Sequence, residues 1–466
     1  MTSAAASRHG TVLPAPSRVV TAVALVSALA AGLLVAARPT LGAAVLGAAG
    51  YVPLVMTSVA TGIAVWIPVL FVKTVPGLVG TCMLAAICAA WAGSLVAGRV
   101  TIGALLPGQQ WLVGALALLL AWLSLSVVWA DNPELAWREV RLWLFGAAVL
   151  IVVSTTIRSP GQLRLVLLAF SLSATMSVVI GWLGQGPQVT AHPVDPGTVT
   201  PKRFGGAEGD PNYLAAQLVP AIVLAAALAA ERGRSIARWG LAACVVALTI
   251  GLAHTQSRGG LIAAATVGVT AAVLYRRRWR SALLLAVGVV VIFAGTWLAV
   301  SPQAPSHVFK RNDGGAGRST LWLVAWRVAE ANPIGGAGLD NFRSVAPRYV
   351  RQPGTLRYVE KVTDRPHVVH NTYLQLLAEA GLVGLGLFLA VVTACLAAAW
   401  RAATAFERLA RPDLALLSRA VLLAGVGALA ALLFISAGTD LRLWLLLALG
   451  PALLTIASLT PARKPR

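Results

Sequence analysis

Charge is scarce in this chain and negative charge scarcest: 11% of the 466 residues are charged, 16 of them acidic against 37 Lys and Arg. Soluble domains carry about 25% charged residues. With 58% hydrophobic residues and a mean hydropathy of +0.80, the composition excludes a soluble enzyme and predicts an all-α, polytopic membrane helical bundle. Cysteine is nearly absent too. Cys82, Cys88, Cys244 and Cys395 all fall in predicted spans, as small core residues rather than a disulfide framework. No P-loop, no GxSxG and no metal-ligating His pair occurs, and no cytoplasmic segment is large enough for a nucleotide-sugar domain.

What is present is a succession of apolar runs long enough to cross about 30 Å of hydrocarbon. They recur near 19–37, 76–97, 110–130, 139–157, 161–183, 211–230, 237–255, 259–275, 281–300, 370–397, 418–437 and 441–458. Residues 40–72 add one tilted span or a short hairpin, giving about 12 (12–14) transmembrane helices. The run at 19–37 is longer than a signal-peptide core and reads as an uncleaved first helix. The organisation is a cytoplasmic tail (1–18), a transmembrane region (19–300) with an outer loop at 184–210, a large extracytoplasmic loop with short helices (301–369), C-terminal spans (370–458) and a basic cytoplasmic tail (459–466).

A net charge of +21 would suggest nucleic acid in a soluble protein. Here the basic residues sort by loop instead. Arg232, Arg234 and Arg238, then Arg276–Arg278 and Arg280, then Arg401, Arg408, Arg411 and Arg419, then Arg463, Lys464 and Arg466 occupy alternate connections, which the positive-inside rule makes cytoplasmic. The outer loop still holds ten basic residues (Lys310, Arg311, Arg318, Arg327, Arg343, Arg348, Arg351, Arg357, Lys361, Arg365) against five acidic ones. Topology does not account for that excess, which predicts an anion-binding face.

Individual positions sharpen the expectation. Arg258 stands at an outer boundary in the hairpin Thr255–Gly260, before Gly259-Gly260, which would let a bulky anion approach the backbone; a diphosphate would suit its planar fork. Against this stands the reading of a boundary arginine facing headgroups. Arg318 precedes an apolar-periodic stretch to Val328, a short amphipathic surface helix capped by Ser319 or Thr320 and ended by Asn332-Pro333. A cation there opposes the helix dipole unless an anion is meant to join it. His370 re-enters the bilayer at neutral pH as a free base able to take a hydroxyl proton, although a cap or interfacial histidine is the plainer reading. Glu379, nine residues on, projects from the opposite helix face and is expected to be a buried packing residue, while Gly381, Gly384 and Gly386 allow close helix packing. Glu208 and Asp210 are too few for a metal site; Asp210 as a helix cap before Pro211, beside a solvated Glu208, is the better reading. Trp129–Arg138 reads as an outer turn making a rim contact.

As an ordered set, Ser257-Arg258-Gly259-Gly260, Gly317-Arg318-Ser319-Thr320-Leu321-Trp322, Pro333–Phe342 and His370-Asn371-Thr372-Tyr373-Leu374, with Asp210-Pro211-Asn212 opening a span, resemble the O-antigen ligase and Wzy polymerase superfamily over about residues 205–400. The resemblance implies a metal-independent, inverting glycosyltransferase without cofactor. It would move a glycan from polyprenyl diphosphate to a glycan or glycolipid acceptor hydroxyl, on the extracytoplasmic side of the inner (cytoplasmic) membrane. Arg258 and Arg318 would hold the diphosphate and His370 would activate the acceptor, with Asp210, Asn212, Asn371 and Tyr373 as supporting candidates. The donor would arrive through the lipid bilayer, and no nucleic acid is involved. Two rivals are a metal-dependent protein oligosaccharyltransferase using Glu208 and Asp210, and a polyprenyl-linked glycan flippase or exporter, which needs no base.

Overall fold

The computed structural model describes residues 47, 50–75, 77–98, 108–186, 203–233, 235–274, 318–350, 359–363 and 367–461. The chain divides into Met1–Thr57 and Ser58–Arg466. In the first unit residues 50–57 are helical. The second has helices as its only regular elements among the described residues: α1 (Val59–Trp66), α2 (Gly77–Val96), α3 (Gln110–Leu125), α4 (Pro133–Thr156), α5 (Pro160–Trp182), α6 (Pro211–Glu231), α7 (Ile236–Thr255), α8 (Arg258–Leu274), α9 (Arg318–Ala331), α10 (Phe342–Val350), α11 (Glu360–Thr363), α12 (Thr372–Arg408), α13 (Pro412–Ala431) and α14 (Leu441–Leu459). Among the described residues nine helices are long and apolar enough to cross a membrane, and α8 is a shorter apolar helix. The runs expected near 19–37 and 281–300 lie outside the described residues.

Local chemistry sets the helix ends. Ser159 and Gln162 form a capping box ahead of α5, and Asn132, Asp210, Asn371 and Asp440 cap α4, α6, α12 and α14. Prolines occupy the first turn of α4, α5, α6 and α13. Two sequence boundaries move accordingly. The polar stretch Pro133–Arg138 is the first turn and a half of α4 rather than an outer turn, because Asn132 caps at Leu135 N and starts the helix there. The span expected at 418–437 is α13, begun at Pro412, which leaves 432–440 as an irregular connection.

The bundle has two chemically distinct ends. At one, Arg164 on α5 bonds Glu231 on α6 (Nε–Oε1 2.7 Å) and Asp413 on α13 (Nη2–Oδ2 3.1 Å). At the other lie the starts of α6, α8, α12 and α14, tied by side chain to backbone. Thr372 N donates to Leu432 O (2.9 Å), Thr372 Oγ1 to Ile435 O (2.7 Å), and Tyr373 Oη to Leu429 O (2.8 Å).

The helix α9 was expected to lie on the membrane surface. Instead its apolar face, Leu321, Val324, Ala325 and Val328, packs on protein, against Phe342, Val345, Ala346, Val362, Val369 and Ala378. Ser319 and Thr320 lie within its first turn rather than capping it, because the helix is already formed at Arg318. Beyond α9, Pro333–Gly338 inserts into a break in α12 at Gly381, whose backbone is non-helical (φ 69°, ψ −171°). Leu382 N, which an unbroken helix would direct to Ala378 O, donates to Pro333 O (2.8 Å). Ala378 O accepts from Ala337 N (2.9 Å), Glu379 O from Gly338 N (2.9 Å) and Ala380 O from Trp122 Nε1 (2.9 Å). Glu379 is buried as expected, but its carboxylate serves this junction, accepting from Asp340 N (3.1 Å) and Gln375 Nε2 (3.2 Å). Of the three glycines expected to pack helices, only Gly384 faces one, with Trp122 alongside; Gly386 meets nothing, and Gly381 forms the break.

A side chain at Gly381 would collide with the Ile334 carbonyl while demanding a backbone region essentially restricted to glycine. Gly381→Ala should therefore destabilise the fold by on the order of 3 kcal/mol. A fall in the unfolding midpoint of the purified protein in detergent measures it; an unchanged midpoint would mean that the break is not strained.

Candidate active site

The expected site residues gather at one end of the bundle, on four helix starts and one irregular connection. Asp210 Oδ1 accepts from Asn212 N (2.7 Å) and Tyr213 N (3.1 Å), which fixes the first turn of α6. Asn212 Oδ1 in turn accepts from Ser257 Oγ (2.9 Å) and from Arg203 Nη2 (3.2 Å), while Arg203 Nε donates to Thr255 O (2.9 Å). Ser257 Oγ accepts from Gly260 N (3.2 Å) and so caps α8. Arg258, the first residue of that helix, is thereby anchored to α6 through its neighbour.

Gly259 and Gly260 were expected to admit a ligand, but both are covered by protein. A Cβ at Gly259 would lie 2.8 Å from Phe434 Cβ, and one at Gly260 2.7 Å from Ala215 Cβ. They let α8 approach α6 and the 432–440 connection, and the ligand argument rests on the arginines alone.

Arg258 and Arg318 face each other closely enough, with Asp210, to interact electrostatically. Burial lowers the Arg318 pKa from its ordinary value; Asp210 opposes that shift and the charge of Arg258 adds to it. Among the described residues neither guanidinium makes a hydrogen bond or an ion pair. The other described arginines of the large loop are engaged, which narrows the anion-binding face expected from its charge. Arg327 is buried and donates to Tyr349 O (2.9 Å), Arg343 pairs with Asp340 (3.1 Å), and Arg348 pairs with Asp131. Lys310, Arg311, Arg351, Arg357 and Arg365 lie outside the described residues.

His370 is held from three sides. Its backbone is left-handed (φ 55°), uncommon for a residue with a Cβ. Its N–H donates to Ser436 Oγ (3.0 Å), and Tyr213 Oη donates to Ser436 O (2.6 Å), so α6 and the 432–440 connection both bear on it. The carbonyl just before it, Val369 O, accepts from Trp322 Nε1 (3.1 Å), one turn along α9 from Arg318. Just after it, Asn371 Oδ1 caps α12 at Tyr373 N (3.0 Å) and Leu374 N (3.1 Å). Asn371 and Tyr373 thus act on the frame of His370: Tyr373 Oη is committed to Leu429 O.

Glu208 departs from its expected solvated position. It is 1% exposed, bonded to Arg442 Nη1 (2.7 Å) and paired with Lys73 Nζ (3.0 Å). Arg442 also takes Asp440 (2.7 Å) and Leu70 O (2.8 Å). Two carboxylates and two cations close a balanced quartet under Tyr213, with Lys73 Nζ 5.5 Å from the centre of its ring. The burial follows from Lys73 N donating to Ala207 O (3.1 Å), which draws the loop onto the segment after α1. Sequence reasoning did not single out Tyr213, Trp322, Arg203, Ser436 or this quartet. Only Asp440-x-Arg442 at the head of an apolar span carried a signal, since charge at membrane depth must be paired.

Residues 242–389 match the family described as O-antigen ligase. Arg258, Arg318 and His370 all lie inside the match, whereas Glu208, Asp210 and Asn212 precede it. No curated protein matches the chain.

Glu208→Gln should strand buried Arg442 with Asp440 alone. Removing one member of a buried pair typically costs about 3–5 kcal/mol, so the unfolding midpoint should drop steeply, whereas Asp210→Asn, an equally good cap, should leave it nearly unchanged. Equal midpoints for the two variants would remove the structural role assigned to Glu208.

Proposed function

For a chain of the O-antigen ligase and Wzy polymerase superfamily with this constellation, we propose a membrane glycosyltransferase that moves a glycan from polyprenyl diphosphate to an acceptor hydroxyl. The observation that carries the reading is the pair Arg258 and Arg318, two guanidiniums within electrostatic reach of each other and of Asp210, neither of them ion-paired among the described residues, at the same end of the bundle as a rigidly held histidine. Two cations within electrostatic reach repel, and an anion of two or more charges is their natural complement. A diphosphate presents oxygens to both forks at once.

In this reading His370 takes the proton of the acceptor hydroxyl as its oxygen attacks the anomeric carbon. The bond from that carbon to the diphosphate oxygen breaks with inversion, and the bond pair leaves on the polyprenyl diphosphate, where the two arginines meet the added charge. The imidazolium returns its proton to solvent. No metal ion is invoked: Glu208 is engaged by Arg442 and Lys73, and Asp210 Oδ1 caps α6, which speaks against the pair as the ligands of the metal-dependent rival. The opposite end of the bundle carries Arg158, Arg232, Arg408, Arg411 and Arg419. By the positive-inside rule that end is cytoplasmic, which supports an extracytoplasmic site in the cytoplasmic membrane.

His370→Ala should slow single-turnover transfer by about 10²- to 10⁴-fold while the affinity for lipid-linked donor is largely kept. Transfer within a few-fold of wild type would mean that His370 is not the base, and joint loss of donor binding and fold would give it a structural role.

Arg258→Lys and Arg318→Lys keep charge and lose the fork, so each should lose most activity with folding intact. Activity should survive EDTA. Near wild-type turnover in both lysine variants would overturn the clamp, and loss in EDTA restored by Mg²⁺ would favour the metal-dependent rival. Purified protein forming no product from lipid-linked donor in detergent would favour a carrier.

A further inference from the structure

A concavity lies away from the arginines. It is an open groove of about 570 Å³ between the end of α3 and the Pro333–Tyr349 stretch. Arg318 opens α9 and Asn332 follows its last residue, so the groove lies roughly 20 Å along that helix from the diphosphate clamp.

Its walls are preorganised. Trp122 and Trp129 stand with ring centres 5.6 Å apart. An indole in a membrane-interface belt keeps its N–H for water and headgroups. Here both are turned onto protein backbone instead, Trp122 to Ala380 O (2.9 Å) and Trp129 to Gly335 O (3.3 Å), which fixes the two rings. The rim is polar and paired. Asp131 meets Arg348, and Asn332 Nδ2 donates to Tyr349 Oη (3.4 Å). Asp131 and Arg348 remain substantially exposed, at 35% and 67%.

We infer that this groove is a saccharide-binding site, holding a sugar unit of the glycan several residues removed from the reacting end. Fixed aromatic faces complement the apolar C–H face of a pyranose, and an exposed carboxylate with a neighbouring guanidinium complements its hydroxyl edge. Volumes of about 300–1,000 Å³ with a few placed polar groups are those of small-ligand sites. The choice of a saccharide rests on the glycan-transfer reading. The groove itself does not take part in the chemistry, so it acts on affinity and on the length of glycan accepted.

The test uses purified full-length protein in detergent on an array of short bacterial polysaccharide fragments. Wild type and His370→Ala should capture the same subset. Trp129→Ala should weaken capture at least tenfold and Asp131→Asn several-fold, with unfolding midpoints recorded alongside. Asp131→Asn, which leaves the loop contacts of the indoles in place, keeps the test decisive if Trp129→Ala unfolds. No capture by wild type, or capture unaffected by Asp131→Asn and by a folded Trp129→Ala, overturns the assignment. So does a phospholipid that co-purifies with wild type and is lost from Trp129→Ala in native mass spectrometry, which would make the groove a headgroup site. Capture through the groove without transfer from any lipid-linked donor would sink the transferase reading and leave the groove standing; transfer without capture would sink the groove alone.

Discussion

A helix within a bilayer cannot leave a carbonyl unpaired, since water is not there to replace the lost bond and each orphan costs several kcal/mol. The break in α12 at Gly381 would orphan Ala378 O, Glu379 O and Ala380 O, and the rest of the structure answers that demand. Ala337 N and Gly338 N supply two donors and the Trp122 indole the third, while Pro333 O takes the stranded Leu382 N–H. Only a loop able to press backbone against backbone can do this. Gly336 provides that at φ 68°, where a side chain would collide with the Glu379 carbonyl. The large loop is therefore bolted into the bundle at a defined depth. The Asn132–Asn341 pair (N–Oδ1 2.7 Å, Nδ2–O 3.1 Å) secures its other side to the start of α4.

The same end of the bundle shows two opposite electrostatic regimes. Lys73, Glu208, Asp440 and Arg442 form a neutral, closed quartet in which each charge has a partner, as burial requires. Among the described residues Arg258 and Arg318 make no ion pair although Asp210 is within electrostatic reach, its Oδ1 being turned to the amides of Asn212 and Tyr213. The contrast between a closed quartet and two neighbouring arginines that are not ion-paired among the described residues is what supports the proposal that they meet an anionic ligand. Local strain at His370 (φ 55°) belongs to the same pattern, being over-determined by Ser436, Trp322 and the Asn371 cap.

Much of this was legible in sequence because apolar run length and capping chemistry are local properties. The helix starts at Asp210-Pro211 and His370-Asn371, the hairpin before Arg258 and the stop at Asn332-Pro333 were all readable as such. Arg258, Arg318 and His370 stood out as polar residues at boundaries. What stayed hidden was long-range: that Glu208 finds Arg442 across 234 positions, that Arg327 and Arg343 serve the loop rather than a ligand, and that Gly259-Gly260 is covered by Phe434 and Ala215. A glycine reads the same in sequence whether ligand or protein fills the space beside it. The apolar face of α9 misled for a similar reason, since a stripe that suits a membrane surface also suits the cluster around Phe342 and Val369.

Placing the proposed base and half of the proposed clamp on different helices raises the question of how their separation is kept. Helices α9 and α12 are joined twice: near the site by Trp322 to Val369 O, and beyond Asn332 by the bonds across the Gly381 break. Two ties roughly 15–20 Å apart along a helix suppress rotation and sliding that a single tie would permit. Arg318 and His370 are thereby held as one frame. Arg258 is held through Asn212 and the packing of Gly259 on Phe434. The 432–440 connection that carries Phe434 also holds His370 through Ser436, and Tyr213 of α6 bonds the same residue, so all three positions share one support. The groove proposed to bind saccharide, lined by the same Pro333–Ala337 segment that fills the break, sits on the rigid frame. A glycan bound there would be measured from His370 by the length of α9, a fixed ruler made by ordinary helix geometry and two hydrogen-bonded ends.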